Sequence, residues 1–228
     1  KRNSNQTVVK TVVDLCSSRL PKAYGFSPLT DIQVLCPSRK GDCGSVSLNK
    51  SLQAAINPPS PKKAEIAFNG KIFRVGDKVM QTKNNYQLLW KKDGEEGSGI
   101  FNGDIGIITS VDDLDSTVTI EFDDERVAVY PFSNLIEVEH AYAITVHKSQ
   151  GNEFDAVIMP VFSVPSKLCY RNLLYTAVTR AKKMMILVGD EEVVRLMTEN
   201  NSKTKRYSAL KEFLCSENSS YDEQEENI

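Results

Sequence analysis

Two polar stretches carry the chemistry of this chain. The first, Thr145-Val146-His147-Lys148-Ser149-Gln150-Gly151-Asn152-Glu153-Phe154, sets hydroxyl, imidazole, ammonium and amide groups directly ahead of a glycine and an apolar run. The second, Leu173-Leu174-Tyr175-Thr176-Ala177-Val178-Thr179-Arg180-Ala181, carries an arginine as its penultimate residue. So many donors are costly in a core, where each would need a partner. At the edge of an open α/β sheet the same groups suit phosphates and bases. Arg180 can be read as a guanidinium offered to a γ-phosphate across an interface. It also stands at the end of a helical pattern, where the dipole favours a cation, so spacing alone leaves both roles open. Glu153 is either a solvated strand cap or an acceptor for a ribose hydroxyl. Arg39 and Lys40 lie in the loop Ser38-Arg39-Lys40-Gly41-Asp42-Cys43-Gly44, as plain basic surface or as phosphate contacts.

What is missing is as informative. No G-x-x-x-x-G-K-[ST] cradle occurs in the 228 residues. A chain that can sense a triphosphate without holding one is expected to be part of a larger machine, and this one opens on Lys1 rather than Met. The run Thr117-Val118-Thr119-Ile120-Glu121-Phe122-Asp123-Asp124-Glu125 imitates a strand ending in metal-binding acids. Its alternation, and the β-type Val127-Ala128-Val129-Tyr130 that follows, make it a hairpin instead. No metal site is expected.

Composition bounds the class. With 40% hydrophobic and 25% charged residues the chain is ordinary globular material, long enough for one large domain or two small ones. The formal charge is −2, but five of the 30 acids fall in residues 216–228, which hold no Lys or Arg. The remaining body has 28 basic residues against 25 acids, too mild an excess to announce nucleic acid unless the charge is clustered. That acidic tail is poor in apolar residues to bury and is expected to be disordered. No apolar run approaches the ~18–20 residues of a membrane span, and these residues show no signal-peptide pattern. Five cysteines without C-x-x-C spacing fit a reducing cytoplasm better than disulfides or zinc. Cys36 and Cys169 read as small core hydrophobes.

The elements that must position these groups fall in three stretches. Residues 1–63 read α/β: a helix over 7–20 stopped by Pro21 and Gly25, a buried strand over 31–36, the basic glycine loop, and a helix over 46–56. Residues 64–134 change to short β runs, with Asn69-Gly70 as a two-residue hairpin signal and Asp93 to Gly99 as a flexible loop. Such spacing suggests a small antiparallel, SH3-like barrel. Residues 135–215 return to α/β, with 141–150 expected helical, 154–161 a strand buried on both faces, 168–181 a helix and 184–188 a second buried strand. Short helices over 191–197 and 207–214 complete it. The predicted fold is thus a RecA-like parallel-sheet domain interrupted by an SH3-like antiparallel barrel, with a disordered tail over 216–228.

Together these residues resemble the C-terminal motor half of a RecD-like superfamily 1 DNA helicase, the family of the exonuclease V α subunit and its stand-alone relatives. The first polar stretch resembles helicase motif V, and Asn172 to Ala181 resembles motif VI. Gln33-Val34-Leu35-Cys36-Pro37-Ser38-Arg39-Lys40-Gly41 is similar to the motif IV region. Phe73-Arg74-Val75-Gly76-Asp77-Lys78-Val79-Met80-Gln81 and Phe101-Asn102-Gly103-Asp104-Ile105-Gly106 are similar to flanks of the inserted SH3-like subdomain. The resemblance implies that two RecA-like domains sandwich ATP and Mg²⁺, held mainly by an N-terminal domain, while single-stranded DNA crosses their top in the 5′→3′ direction. It implies Arg180 on the γ-phosphate, with Gln150, Gly151 and Glu153 on the nucleotide side. It places Thr145 and His147, with Arg39 and Lys40, on DNA. Expected partners are ATP, single-stranded DNA, the N-terminal RecA-like domain and, in a nuclease complex serving repair and recombination, the other exonuclease V subunits. Alone, the chain is expected neither to hydrolyse ATP efficiently nor to unwind DNA. The competing readings are a Pif1-like helicase, the helicase portion of a conjugative relaxase, and a non-motor nucleic-acid-binding module.

Overall fold

Chain order in the computed structural model, which describes residues 4–201, begins with α1 (Asn5–Asp14), capped by the Ser4 hydroxyl on the Thr7 amide. A π-helical turn (Leu15–Arg19) leads into α2 (Leu20–Tyr24). Of the two stops that the sequence suggests, the helix therefore passes Pro21 and ends only at Gly25. An α-helix would set a carbonyl against the Pro21 ring, and the wider π turn just before it removes that clash. Gly25, at φ +72°, ends the helix with its amide on the Pro21 carbonyl.

β1 (Ile32–Cys36) and α3 (Ser45–Ile56) follow. A long antiparallel insertion comes next: β2 (Glu65–Phe68), β3 (Lys71–Arg74), β4 (Lys78–Gln81), β5 (Asn85–Lys92), β6 (Glu95–Ile100), β7 (Ile105–Asp112), β8 (Thr117–Phe122), β9 (Val127–Pro131) and β10 (Val138–His140). The chain then returns through β11 (Ala143–Thr145), β12 (Phe154–Val161), α4 (Arg171–Val178), β13 (Ala181–Gly189) and α5 (Glu191–Glu199).

β11, β1, β12 and β13 form one parallel sheet in that order. Successive side chains alternate between its faces. Val34, Ala143, Ala156 and Ile158 turn to α1 and α3, where Val8, Val12, Leu48 and Leu52 are buried. Leu35, Ile144, Val157 and Met159 turn to the other face, covered by Leu173 and Ala177 of α4, Met197 of α5, and Met80 and Ile105 of the insertion. A sheet covered on both faces explains the continuous apolar runs that mark β1 and β12 in the sequence.

Residues 141–150 are not a helix. Val34, Leu35 and Cys36 pair with Ala143, Ile144 and Thr145, and a 3-10 turn (Val146–Ser149) follows. Three paired edge residues are too short a strand to declare its period, so their apolar spacing passes for helical. Likewise α4 ends at Val178, short of the expected 181, because Ala181 already pairs with Phe154 as the first residue of β13.

The insertion holds a seven-stranded antiparallel sheet, order β10-β4-β7-β8-β9-β5-β6, beside the β2–β3 hairpin. Asn69 and Gly70 both take positive φ, as a two-residue hairpin turn requires. The expected flexible loop over 93–99 is instead the β5–β6 hairpin, turning at Asp93-Gly94. Gly97 lies under the Trp90 indole, which leaves no space for a side chain. The acid-ended run over 117–125 forms β8 and the turn into β9, with Asp124 bound to Arg126 at 2.6 Å. The helix expected over 207–214, Cys215 and the acidic tail lie outside the described residues. No described helix is long and apolar enough to cross a membrane.

A buried network fastens the insertion to the parallel-sheet part. Asp77, fully buried after β3, accepts from Gln53 and Asn57 (2.6 and 2.8 Å), from Tyr142 Oη (2.9 Å) and from the Arg74 amide (2.8 Å). His140 Nε2 lies 3.2 Å away. Burial works to raise the Asp77 carboxyl, but His140 and the other donors hold it below the ordinary carboxylate value.

Candidate functional site

The strand register divides the sequence-predicted residues into two groups. Thr145 is level with Cys36 at the C-terminal end of the sheet, whereas Phe154 is level with Ala181 at the N-terminal end. At roughly 3.3 Å per residue, about 20 Å of strand separates the two ends.

Arg180, Gly151 and Glu153 are at the N-terminal end. α4 runs back along the sheet, and Thr179 closes it by donating its hydroxyl to the Thr176 carbonyl at 3.0 Å. The Arg180 carbonyl then accepts from the Phe154 amide at 2.8 Å. Its guanidinium turns to the facing loop, where Nη1 donates to the Asn152 carbonyl at 3.1 Å and Nη2 lies 3.5 Å from Thr179 Oγ1. Nε is buried and has no hydrogen-bond partner among the described residues. No carboxylate among them pairs with this guanidinium. Gly151 takes φ +92° with open space around it, so the backbone turn, not crowding, is what asks for glycine. Gln150 and Glu153 are exposed, and their side chains make no hydrogen bond among the described residues. Asn152 Nδ2 reaches the Gly103 carbonyl at 3.4 Å, tying this loop to the insertion.

Arg39, Lys40, Thr145 and His147 gather at the C-terminal end. The loop after β1 is tightened by Ser38 Oγ on the Lys40 carbonyl at 2.8 Å, and by the Ser45 and Val46 amides on the Ser38 and Arg39 carbonyls. A Cβ on Gly44 would strike the carbonyls of Arg39 and Lys40, so that close turn needs glycine. It leaves both basic side chains exposed. His147, exposed in the 3-10 turn, has Nε2 3.3 Å from Tyr170 Oη at the start of α4.

Sequence reasoning missed the carboxylate at this end. Arg39 Nη2 sits 2.5 Å from Glu139 Oε1, Lys148 Nζ 3.3 Å from Oε2, and Lys71 Nζ 3.7 Å from Oε1. Burial alone would raise the Glu139 carboxyl, but Lys148, Lys71 and Arg39 together hold it below the ordinary value. Beside it opens a cleft of about 310 Å³, walled by Val46, Ile72, Met80 and Ile144 and edged by Asn49 and Thr145. Lys148 stood within the first polar stretch. Lys71 and Glu139 carried no local signal, because their partners are brought from distant parts of the chain. No described group of three or more His, Cys, Asp or Glu residues could hold a metal ion.

Comparison with known proteins bears on the fold and relationships of the chain. Residues 48–122 match the family described as ATP-dependent RecD-like DNA helicase SH3 domain. Residues 140–188 match the UvrD-like helicase C-terminal domain. The chain is 30% identical over 179 residues to the ATP-dependent RecD2 DNA helicase of Deinococcus radiodurans, covering 78% of this chain and 23% of that protein. It is 29% identical over 177 residues to the RecBCD enzyme subunit RecD of Mycolicibacterium smegmatis, covering 78% and 28%. An uncharacterized protein of Methanocaldococcus jannaschii is 29% identical over 222 residues, covering 90% and 18%. The chain thus spans between about a fifth and just over a quarter of the length of these relatives. Among solved structures, a Bacteroides Pif1 helicase in complex with ADP-AlF3 and ssDNA superposes with a TM-score of 0.52 at 18% identity, over 95% of this chain and 51% of that one. That likeness is one of fold. The α/β reading with an SH3-like insertion is borne out.

Proposed function

This chain is a relative of the RecD-like superfamily 1 helicases, and from that premise we propose that it forms the second RecA-like face of an ATP-dependent, 5′→3′ motor on single-stranded DNA. The N-terminal end of the sheet is the nucleotide face. Arg180 stabilises charge that develops on the transferring phosphoryl group, acting from outside the domain that holds the nucleotide. Gln150, the Gly151 turn and Glu153 line the same side, with Glu153 as acceptor for a ribose hydroxyl. The C-terminal end is the DNA face. There Thr145, His147, Arg39 and Lys40 contact the strand, chiefly through phosphates. With no phosphate cradle in this sequence and no metal cluster among the described residues, ATP and Mg²⁺ are assigned mainly to the N-terminal RecA-like domain that this face would meet.

One observation carries the proposal: a half-buried guanidinium, buried Nε–H unpartnered and no carboxylate beside it, at the foot of the loop bearing Gln150 and Glu153. A structural arginine would be expected to find an acid or a carbonyl for that group. The test joins the chain to a P-loop-bearing N-terminal half and measures DNA-stimulated ATP hydrolysis. Arg180→Ala should lower kcat by roughly 10³–10⁵, the range of arginine fingers in related phosphoryl transfer. Unchanged hydrolysis in Arg180→Ala would defeat the role given to this residue, and no DNA-stimulated hydrolysis with Arg180 in place would favour a non-motor nucleic-acid-binding module.

A further inference from the structure

We propose that Glu139 occupies the place of a DNA phosphate, and that Arg39, Lys71 and Lys148 form a phosphate site which the strand enters by displacing that carboxylate. This deepens the DNA-face reading above and rests on it. The three cations come from three separate places: the loop after β1, the first residue of β3 and the 3-10 turn after β11. They converge on a single carboxylate that is 26% exposed, while their own side chains are 58%, 37% and 33% exposed. One negative charge does not neutralise three positive ones, so a local excess remains facing solvent.

The geometry suits exchange. A phosphodiester also offers one negative charge on two oxygens, so it can meet the same donors that now meet Oε1 and Oε2. Partly exposed ion pairs of this kind contribute little to stability, and giving one up for a phosphate is cheap. The adjoining cleft of about 310 Å³ leaves room for the sugar or base next to that phosphate, against Ile72 and Ile144. Until DNA arrives, Glu139 keeps the three cations gathered in place. It also lowers the number of counterions they attract, so binding of the native chain should depend on salt more weakly than its cation count suggests.

The test is fluorescence anisotropy of a labelled oligo(dT) with the full chain, repeated across a salt series. Glu139→Gln, which keeps the side-chain shape, should tighten binding by roughly three- to tenfold at low salt and steepen the salt dependence. Lys71→Ala and Lys148→Ala should each weaken binding and flatten the slope by about one. If Glu139→Gln binds as the native chain does, or more weakly, while Arg39→Ala still weakens binding, the displacement idea falls and the DNA reading stands. If neither the native chain nor Glu139→Gln binds the oligonucleotide, both fall. Thermal melting of each variant reports folding. Should Glu139→Gln not fold, the two lysine slopes decide, and unchanged slopes overturn the site.

Discussion

At one end of the parallel sheet Arg180 stands with a buried Nε–H that nothing among the described residues accepts. At the other, Arg39, Lys71 and Lys148 crowd around one carboxylate. The two ends handle positive charge in opposite ways. A partly desolvated guanidinium with one N–H unmet and no anion beside it costs stability and gains it back when an anion arrives. Cations that already share an internal anion cost little in the free protein and exchange one partner for another on binding. The first arrangement suits a contact needed only while charge develops on a phosphoryl group. The second suits a strand that must be gripped and released repeatedly.

The comparison can be broken most forcefully at the network that holds the insertion in place. Asp77→Ala leaves Gln53, Asn57, Tyr142 and the Arg74 amide without their buried acceptor. It should cost about 3–5 kcal/mol in denaturant unfolding. Because the β2–β3 hairpin carries Lys71, this variant should harm oligonucleotide binding more than the Arg180 end.

A smaller effect is expected at Lys78, buried between insertion and sheet with Nζ on the Ile32 carbonyl at 3.2 Å. Burial pushes its pKa down to about 8, against weaker upward pulls from Asp123, Cys16 and Asp31. The unfolded chain keeps that proton to the ordinary lysine value near ~10.4. Between those values the unfolded state binds more protons, so this residue's contribution to stability rises with pH from about 8 upward, and its penalty is fully present below. Lys78→Met should therefore be more stable than the native chain at pH 7 by up to about 3 kcal/mol, less whatever the lost carbonyl contact contributed. Unfolding measured on both proteins from pH 7 to 10 should show that advantage shrinking. A constant difference would mean that Lys78 does not titrate in this range. Least disruptive is Gly151→Ala, which forces a side chain into φ +92°. It should cost about 1–2 kcal/mol and disturb only the Arg180 end, leaving oligonucleotide affinity unchanged.

Much of this architecture was legible in the sequence, and the exceptions have physical causes. β1 and β12 announced themselves as unbroken apolar runs because both faces of the sheet are covered. Asn69-Gly70 announced its hairpin because only such residues accept two positive φ values in succession. β11 reads as helix in the sequence because its backbone partners lie in β1, more than a hundred residues earlier. The β5–β6 hairpin reads as loop in the sequence because the reason for Gly97 is the ring of Trp90 above it. At the site, motif resemblance picked out Arg180, Thr145 and His147, while the register that sends them to opposite ends of the sheet appears only in three dimensions. Glu139 and Lys71 were invisible for the same reason, since the cluster exists only once β1, β3, β10 and β11 are assembled.

The central claim is that the two ends serve two ligands, and one paired measurement addresses it most directly. Arg180→Ala and Arg39→Ala are each placed in the chain joined to its P-loop-bearing half, and both DNA-stimulated kcat and oligonucleotide Kd are determined. The account predicts that Arg180→Ala loses roughly 10³-fold or more in kcat with Kd unchanged, and that Arg39→Ala weakens Kd while kcat at saturating DNA is retained. Arg180→Ala with full kcat, or the two variants changing both quantities alike, would contradict it.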